Sequence, residues 1–337
     1  MRPALRVVVS TSLSLILACG LLAQADHAHS GEHLGRVVFP TSCRPDAQQR
    51  FERAMALLHS FWWEEGARAF RDVAAADSTC AMAYWGLALN AWGNPFAGGP
   101  GATNLRAGAE AATRALALGA PTVRERGFLA AAGALYRDYA TVPNNRRLQA
   151  YSDTLARVYR DVPDDAEVAM YYALSLVATA SPTDTTYARQ KAAAAILNPL
   201  FRRFPEHPGL AHYIIHANDS PELAYLGLDA ARRYAQIAPA APHAQHMPSH
   251  IFIRLGLWDE TIAANERSLA AGVHSAAAQH LPGSVPDSFH VLDYLVYGYL
   301  QQGRDTAAQR SVAQGLALAA VAPRDVLFSV YNYNIVA

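Results

Sequence analysis

The feature that most constrains the fold is a series of helix-length segments separated by prolines, with almost none of the polar–apolar alternation typical of strands. In the first hairpin, position 47 maps onto position 81 of the next, a period of 34 residues. Repeats of this length stack as helix pairs, because each pair buries its apolar face against its neighbours. Prolines fall at the predicted helix boundaries, at positions 121, 143, 163, 182, 205, 221, 239 and 323. We therefore predict an all-α superhelix, a solenoid of helical hairpins.

The repeats are predicted to be irregular. The segment LGLWDETIAANERSLAA places Gly256 at the turn of a hairpin and the aromatic Trp258 directly after it. The segment LQQGRDTAAQRSVAQGL gives Gly303 the same role. These two glycines are 47 residues apart, so insertions must interrupt the 34-residue period.

Histidines repeat at helical spacing in the later half of the chain. They form two stripes, His212 with His216 and then His243 with His246 and His250. Spacings of three and four residues place each stripe on one helix face. The residues between the stripes predict one further helix. In stacked hairpins the two histidine-bearing helices would then be same-type neighbours, and their stripes could meet.

Two interpretations of these stripes remain open. Neutral imidazole is the commonest protein ligand of transition metals, so the five histidines could hold zinc, copper or iron. They could instead form a histidine-rich structural core, in which every ring nitrogen needs a hydrogen-bond partner. The block HYIIH lacks the glutamate of the H-E-x-x-H zinc proteases, which weakens a protease interpretation.

Three further residues are candidates for the same site. Asp219 could be a ligand, or it could fix the orientation of an imidazole, although we favour a role as the cap of a helix that begins at Pro221. His59 on the first helix and His290 on a late helix could also reach the site, with hydrogen-bonded packing as the alternative. Pro248 lies inside the second stripe, so that helix either kinks or begins there.

Residues 1–25 predict a signal peptide. Arg2 and Arg6 precede the apolar run VVVSTSLSLILACGLL, and an A-x-A cleavage site ends at Ala25. A membrane anchor and a lipoprotein site at Cys19 are the alternatives. We expect simple cleavage, which gives a periplasmic or secreted protein that is not integral to the membrane.

After cleavage, residues 26–45 are expected to form a disordered tail before the repeat domain at 46–337. Two cysteines then remain, Cys43 and Cys80. In an oxidising compartment they predict a disulfide, with a pair of buried free thiols as the alternative.

Five segments carry a resemblance to a known family: SCRPDAQQRFERAMALLHSFWWEEGARAF, CAMAYWGLAL, HPGLAHYIIHANDSPELA, APHAQHMPSHIFIRLGLWDE and HVLDYLVYGYLQQG. They resemble a family of exported bacterial tetratricopeptide-repeat (TPR) proteins over most of residues 35–305. The resemblance implies an all-helical superhelix and no settled activity. The chain departs from the family at Asn218, where an aromatic is usual, and it ends within a repeat, so the repeat domain is expected to be incomplete at its C-terminus.

Two functions follow from these observations. A TPR-like scaffold would bind a protein or peptide partner and carry the histidine-lined, metal-binding pocket. The alternative is a metal-dependent enzyme that uses the same histidines. Nucleic acid is not an expected partner, because the formal net charge is zero and no basic run is present.

Overall fold

The computed structural model describes residues 32–278 and 288–321. Within these ranges the chain forms α-helices and no strand, so the predicted all-α fold is confirmed. The helices are α1 (Pro45–His59), α2 (Trp63–Ala76), α3 (Ala81–Trp92), α4 (Ala102–Leu118), α5 (Val123–Tyr136), α6 (Asn144–Asp161), α7 (Ala166–Ala178), α8 (Ala188–Arg203), α9 (Pro208–Asn218), α10 (Leu228–Ile237), α11 (Pro242–His246), α12 (Pro248–Arg254), α13 (Trp258–Ala278), α14 (Ser288–Gln301) and α15 (Asp305–Val321), with a 3-10 helix (Ala224–Gly227) before α10. The predicted signal peptide and the end of the chain lie outside the described residues.

Consecutive helices pack as hairpins in an irregular array. The pairs α1–α2, α3–α4, α5–α6 and α7–α8 make extensive contacts, and α13, α14 and α15 pack in succession. The predicted irregularity appears at α9, which contacts α1 as well as α7, α8, α10 and α12. All residues of α9 except His216 are buried. A helix that is buried all round lies in the interior, so α9 joins the first hairpins to the helices that follow it.

Local sequence sets several helix ends. The Thr122 hydroxyl accepts a hydrogen bond from the backbone N–H of residue 125 at the start of α5, and the Asp165 carboxylate caps α7 in the same way. Gly256 and Gly303 follow α12 and α14 with φ values of 71° and 66°. Only glycine adopts this left-handed conformation without steric cost, so both glycines have the predicted turn role.

The prediction of a helix beginning at Pro221 is wrong. The backbone N–H of Ser220 donates to the carbonyl of Asn218 at 2.8 Å, and the chain then passes through turns and the 3-10 helix. The α-helix that follows begins only at Leu228. Asp219 therefore caps no helix at Pro221, and its carboxylate is available for contacts elsewhere.

The predicted disorder of the N-terminal tail does not extend to residues 33–44. Leu34, Val37 and Phe39 are buried, because the extended segment lies in the core of the first hairpins. The ring of Phe39 lies 5.2 Å from that of Phe51 on α1, measured between centroids. The predicted disulfide between Cys43 and residue 80 joins this segment to the start of α3. In the part of the chain that the structure describes, no helix has the length and apolar character needed to cross a bilayer.

Candidate metal centre

Six histidines from four helices meet in two groups of three. The first triplet comes from α9 and α11 and consists of His212, His216 and His243. The second triplet comes from α11, α12 and α14 and consists of His246, His250 and His290. Within each triplet the three candidate ligand nitrogens lie within 4.8 Å of one another. The structure thus brings together all five histidines of the predicted stripes, and it adds His290.

The helical repeat creates the closest pairs. The Nε2 atoms of His212 and His216, one turn apart on α9, are separated by 3.0 Å. The Nε2 atoms of His246 and His250 are also 3.0 Å apart. This second pair spans Pro248, where α12 begins. The turn is nevertheless preserved, because the intervening residue 247 has helical backbone angles (φ −54°, ψ −34°).

Hydrogen bonds fix three of the rings from outside. Nδ1 of His212 lies 2.6 Å from the carbonyl oxygen of His59, and Nδ1 of His250 lies 2.8 Å from a carboxylate oxygen of Asp219. A carbonyl or carboxylate oxygen only accepts, so each Nδ1 carries a hydrogen and donates it. Such outer partners also orient the histidine ligands of metal sites in general and set their tautomer.

His246 is fixed in the same way by an amide. Its Nδ1 lies 2.6 Å from Oδ1 of Asn265 on α13, and the amide nitrogen of Asn265 donates to the carbonyl of Thr261 at 2.8 Å. The second bond determines which end of the amide faces the imidazole. Nδ1 of His246 is therefore the donor, and its Nε2 has a lone pair that points toward His250.

These assignments leave two lone pairs facing each other. With Nδ1 of both His246 and His250 acting as donors, neutral rings have no proton on either Nε2 across the 3.0 Å gap. The Nε2 of His290 lies 3.4 Å from that of His250 and belongs to the same group. A cation between the nitrogens, or a proton on one of the rings, is needed to remove this repulsion.

Burial disfavours protonation of three of these rings. Removal from water is the main cause that lowers the pKa of His212, His216 and His246 well below the ordinary value for histidine. Neighbouring imidazoles lower the pKa further. Burial alone would raise the pKa of Asp219, but His250 and Arg254 together hold it below its ordinary value. Burial thus favours the neutral form of these three imidazoles, and the carboxylate of Asp219 behind the second triplet stays ionised.

Aromatic rings line the rest of the site. Phe61, in the turn between α1 and α2, lies 4.3–5.7 Å from all three rings of the first triplet, measured between centroids. Phe96 lies 4.3 Å from the ring of His216. Tyr294 lies 4.9–5.0 Å from the three rings of the second triplet. Phe61 has a positive φ of 51°, an uncommon conformation for a bulky residue that is often found at functional sites.

The ring of His59 belongs to a different polar cluster. Its Nε2 lies 3.0 Å from Oε2 of Glu167, and its Nδ1 lies 2.9 Å from the hydroxyl of Tyr213. His207 contacts the other oxygen of Glu167 at 3.0 Å, and all three members of the His59–Glu167–His207 cluster are buried. Burial alone would raise the pKa of Glu167, but His59 and His207 hold it well below its ordinary value. His59 thus hydrogen-bonds to the first triplet through its main-chain carbonyl, while its ring belongs to this cluster.

Several contributors have no sequence signal. Asn265, Phe61 and Tyr294 lie on segments remote from the stripes, and only packing brings them to the imidazoles. His207 precedes α9 in what reads as a loop, and Glu167 lies on α7. The connection between His207 and Glu167 can be explained only once the fold is known. The buried carboxylate needs hydrogen-bond donors, and His207 lies close enough to provide one.

Searches against protein-family models and against curated proteins find no match to the chain. Among solved structures, it is similar to the TPR protein TTC0263 of Thermus thermophilus, with 16% identity, a TM-score of 0.42, and coverage of 61% of this chain and 98% of that one. It is also similar to PilW, a type IV pilus biogenesis factor, with 11% identity, a TM-score of 0.42, and coverage of 87% and 100%. A structure of MamA MSR-1 gives 16% identity, a TM-score of 0.40, and coverage of 56% and 92%.

Proposed function

We propose that this protein is an exported TPR-like scaffold for a protein or peptide partner, and that it binds transition-metal ions among its six clustered histidines. The observation that carries the metal-binding part is the 3.0 Å contact between Nε2 of His246 and Nε2 of His250, whose Nδ1 atoms both face acceptors. A metal ion is the partner that satisfies several such lone pairs together.

The spacing of the nitrogens supports the metal. Imidazole nitrogens bind zinc at about 2.0–2.1 Å, so tetrahedral neighbours lie about 3.3 Å apart. The Nε2 pairs at 3.0 Å and 3.4 Å in the second triplet are close to this value. Zinc, copper and iron all accept imidazole, and each is a candidate for the site.

The scaffold part rests on the array of hairpins and on the sequence. Stacked helix pairs present extended surfaces for other proteins. The N-terminal signal supports export. An enzymatic role has less support. In the described structure the carboxylate of Asp219 is in contact with these imidazoles, but it is already engaged by His250 and Arg254. It is therefore poorly placed to act as a general base.

Elemental analysis of the mature protein, produced through an export pathway, tests the metal. We expect stoichiometric metal in the wild type and in His274→Ala, which removes an exposed histidine of α13. We expect less metal in His216→Ala and in His250→Ala, whose rings are only partly buried. A wild-type protein that contains no metal and whose melting temperature does not change with added zinc, copper or iron would leave the histidines as a structural core.

A further inference from the structure

The six imidazoles are arranged as two sets of three. Within the second triplet the ring centroids are 4.7–5.5 Å apart. In the first triplet, His212 lies 4.7 Å and 5.0 Å from its two partners. Three imidazoles around one ion, each bound through a nitrogen at about 2.0–2.1 Å, place their centroids about 5 Å apart. Each triplet therefore has the spacing expected around a single ion.

Contacts between the triplets are longer. His243 and His246 face each other across the triplets with 5.9 Å between ring centroids, and His216 and His250 with 6.4 Å. These distances exceed the five centroid distances given above within the triplets, so one ion cannot be at bonding distance from all six rings. The two triplets are nevertheless direct neighbours, because α11 supplies one histidine to each of them.

We infer that the site is dinuclear, with one copper ion held by the first triplet, a second copper ion held by the second triplet, and both ions bound as Cu(I). This inference rests on the proposed metal-binding function and adds its stoichiometry, its arrangement and the identity of the ion. Each ion has three neutral imidazole ligands.

Charge favours Cu(I) over a divalent ion. The imidazoles are neutral ligands, and among the described residues Asp219 is the carboxylate in contact with them, already paired with Arg254. Two divalent ions would bring four positive charges into a site lined by Phe61, Phe96 and Tyr294, whereas two Cu(I) ions bring two. Uncompensated buried charge is costly, so the ion of lower charge fits this environment better. Imidazole is also an ordinary ligand for copper.

The structure explains how the two ions would be kept separate. Each triplet has its own outer hydrogen bonds, from His212 to the carbonyl of His59, and from His246 and His250 to Asn265 and Asp219. These partners lie on three different elements, α1, α13 and the loop after α9. The two sets of rings are therefore oriented independently.

The test is an anaerobic titration of the metal-free protein with Cu(I) against a Cu(I) chelator, followed by copper analysis. We expect two copper ions per wild-type chain and two in His274→Ala. We expect loss of one ion in His216→Ala, loss of the other in His250→Ala, and loss of both in the double variant. Zinc titrated in the same way is expected to bind more weakly than Cu(I).

X-ray absorption provides a second, independent measurement. Two neighbouring ions give a copper–copper scattering contribution in the fully loaded wild type, and this contribution should disappear in either single variant. Circular dichroism of the metal-free variants checks that they remain helical. One copper per wild-type chain would overturn the dinuclear site and leave the proposed metal-binding function intact, whereas no bound metal of any kind would overturn both. Zinc binding as tight as that of Cu(I) would overturn the choice of ion.

Discussion

Asp219 accepts a hydrogen bond from Nδ1 of His250 at 2.8 Å, and its other oxygen accepts one from Nε of Arg254 at 3.0 Å. The carboxylate thus connects the loop after α9 to two successive turns of α12. Its ionised form is favoured by both partners, and it holds the Nδ1 proton of His250 in place. The Nε2 lone pair of His250 is consequently directed into the second triplet.

Asp219→Asn is expected to weaken metal binding by about 10–100-fold, the usual effect of removing an outer partner of a histidine ligand. The amide is uncharged and can present its nitrogen to His250, so the tautomer is no longer enforced. Asp229→Asn is the matched control, because Asp229 is an exposed acid on α10. Competition with a metal chelator measures both affinities. Equal affinities in the two variants would show that Asp219 does not orient His250.

Phe61→Ala is expected to lower the free energy of unfolding of the metal-free protein by about 3–5 kcal/mol, because it empties the space beside three imidazoles. Phe61 is only 4% exposed. The same change should speed metal transfer to a chelator, because water gains access to the first triplet. Phe61→Leu keeps an apolar side chain there and should show smaller effects. Urea denaturation and stopped-flow metal transfer measure the two quantities, and equal behaviour of the two variants would contradict the shielding role.

The sequence predicts the parts of the site that depend on local periodicity. His212 and His216 are one helical turn apart, and the same holds for His246 and His250, because residue 247 keeps a helical backbone next to the proline. The meeting of the two stripes was also predictable, since same-type helices of stacked hairpins are neighbours. Whether these rings bind metal stays a prediction.

Contacts between distant segments were not predictable in the same way. Asn265 reaches His246 from α13, and Phe61 reaches the first triplet from a turn near the start of the chain. The position of Phe61 depends on the contact between α1 and α9, which a regular solenoid does not make, and that of Asn265 on the packing of α11 against α13. The burial of Phe39 was missed for a related reason, because an extended segment gives no periodic signal until a core covers it.

Replacing both cysteines of the disulfide, Cys43→Ser with Cys80→Ser, is expected to lower the free energy of unfolding by about 2–4 kcal/mol. The bond closes a loop between residues separated by 37 positions, and Cys80 is buried. Copper content should not change, because the disulfide joins the N-terminal segment to α3 and supplies no ligand. Urea denaturation with and without a reductant measures the effect. A double variant as stable as the oxidised wild type would show that the bond does not constrain the chain.

The metal-free protein is expected to lose stability in acid in two ranges. Burial lowers the pKa of His207 from 6.5, so the unfolded chain takes up this proton first and stability falls as the pH drops below that value. The pKa of Glu167 is lowered from 4.5, so its contribution is complete above pH 4.5 and is lost as the pH falls through the lower folded-state value. Urea denaturation from pH 8 to about pH 3 measures both. A stability that is constant across this range would contradict the paired, buried state of the cluster.

Glu167→Gln is expected to lower the free energy of unfolding at neutral pH by about 3–5 kcal/mol, because it removes the negative charge that two buried imidazoles share. The difference between wild type and variant should shrink as the pH falls below 4.5, since the unfolded wild type then takes up a proton at Glu167 that the folded state excludes. Glu206→Gln is the matched control, because its side chain is exposed one residue before His207. A difference between wild type and Glu167→Gln that stays constant with pH would mean that the glutamate contributes by its shape and not by its charge.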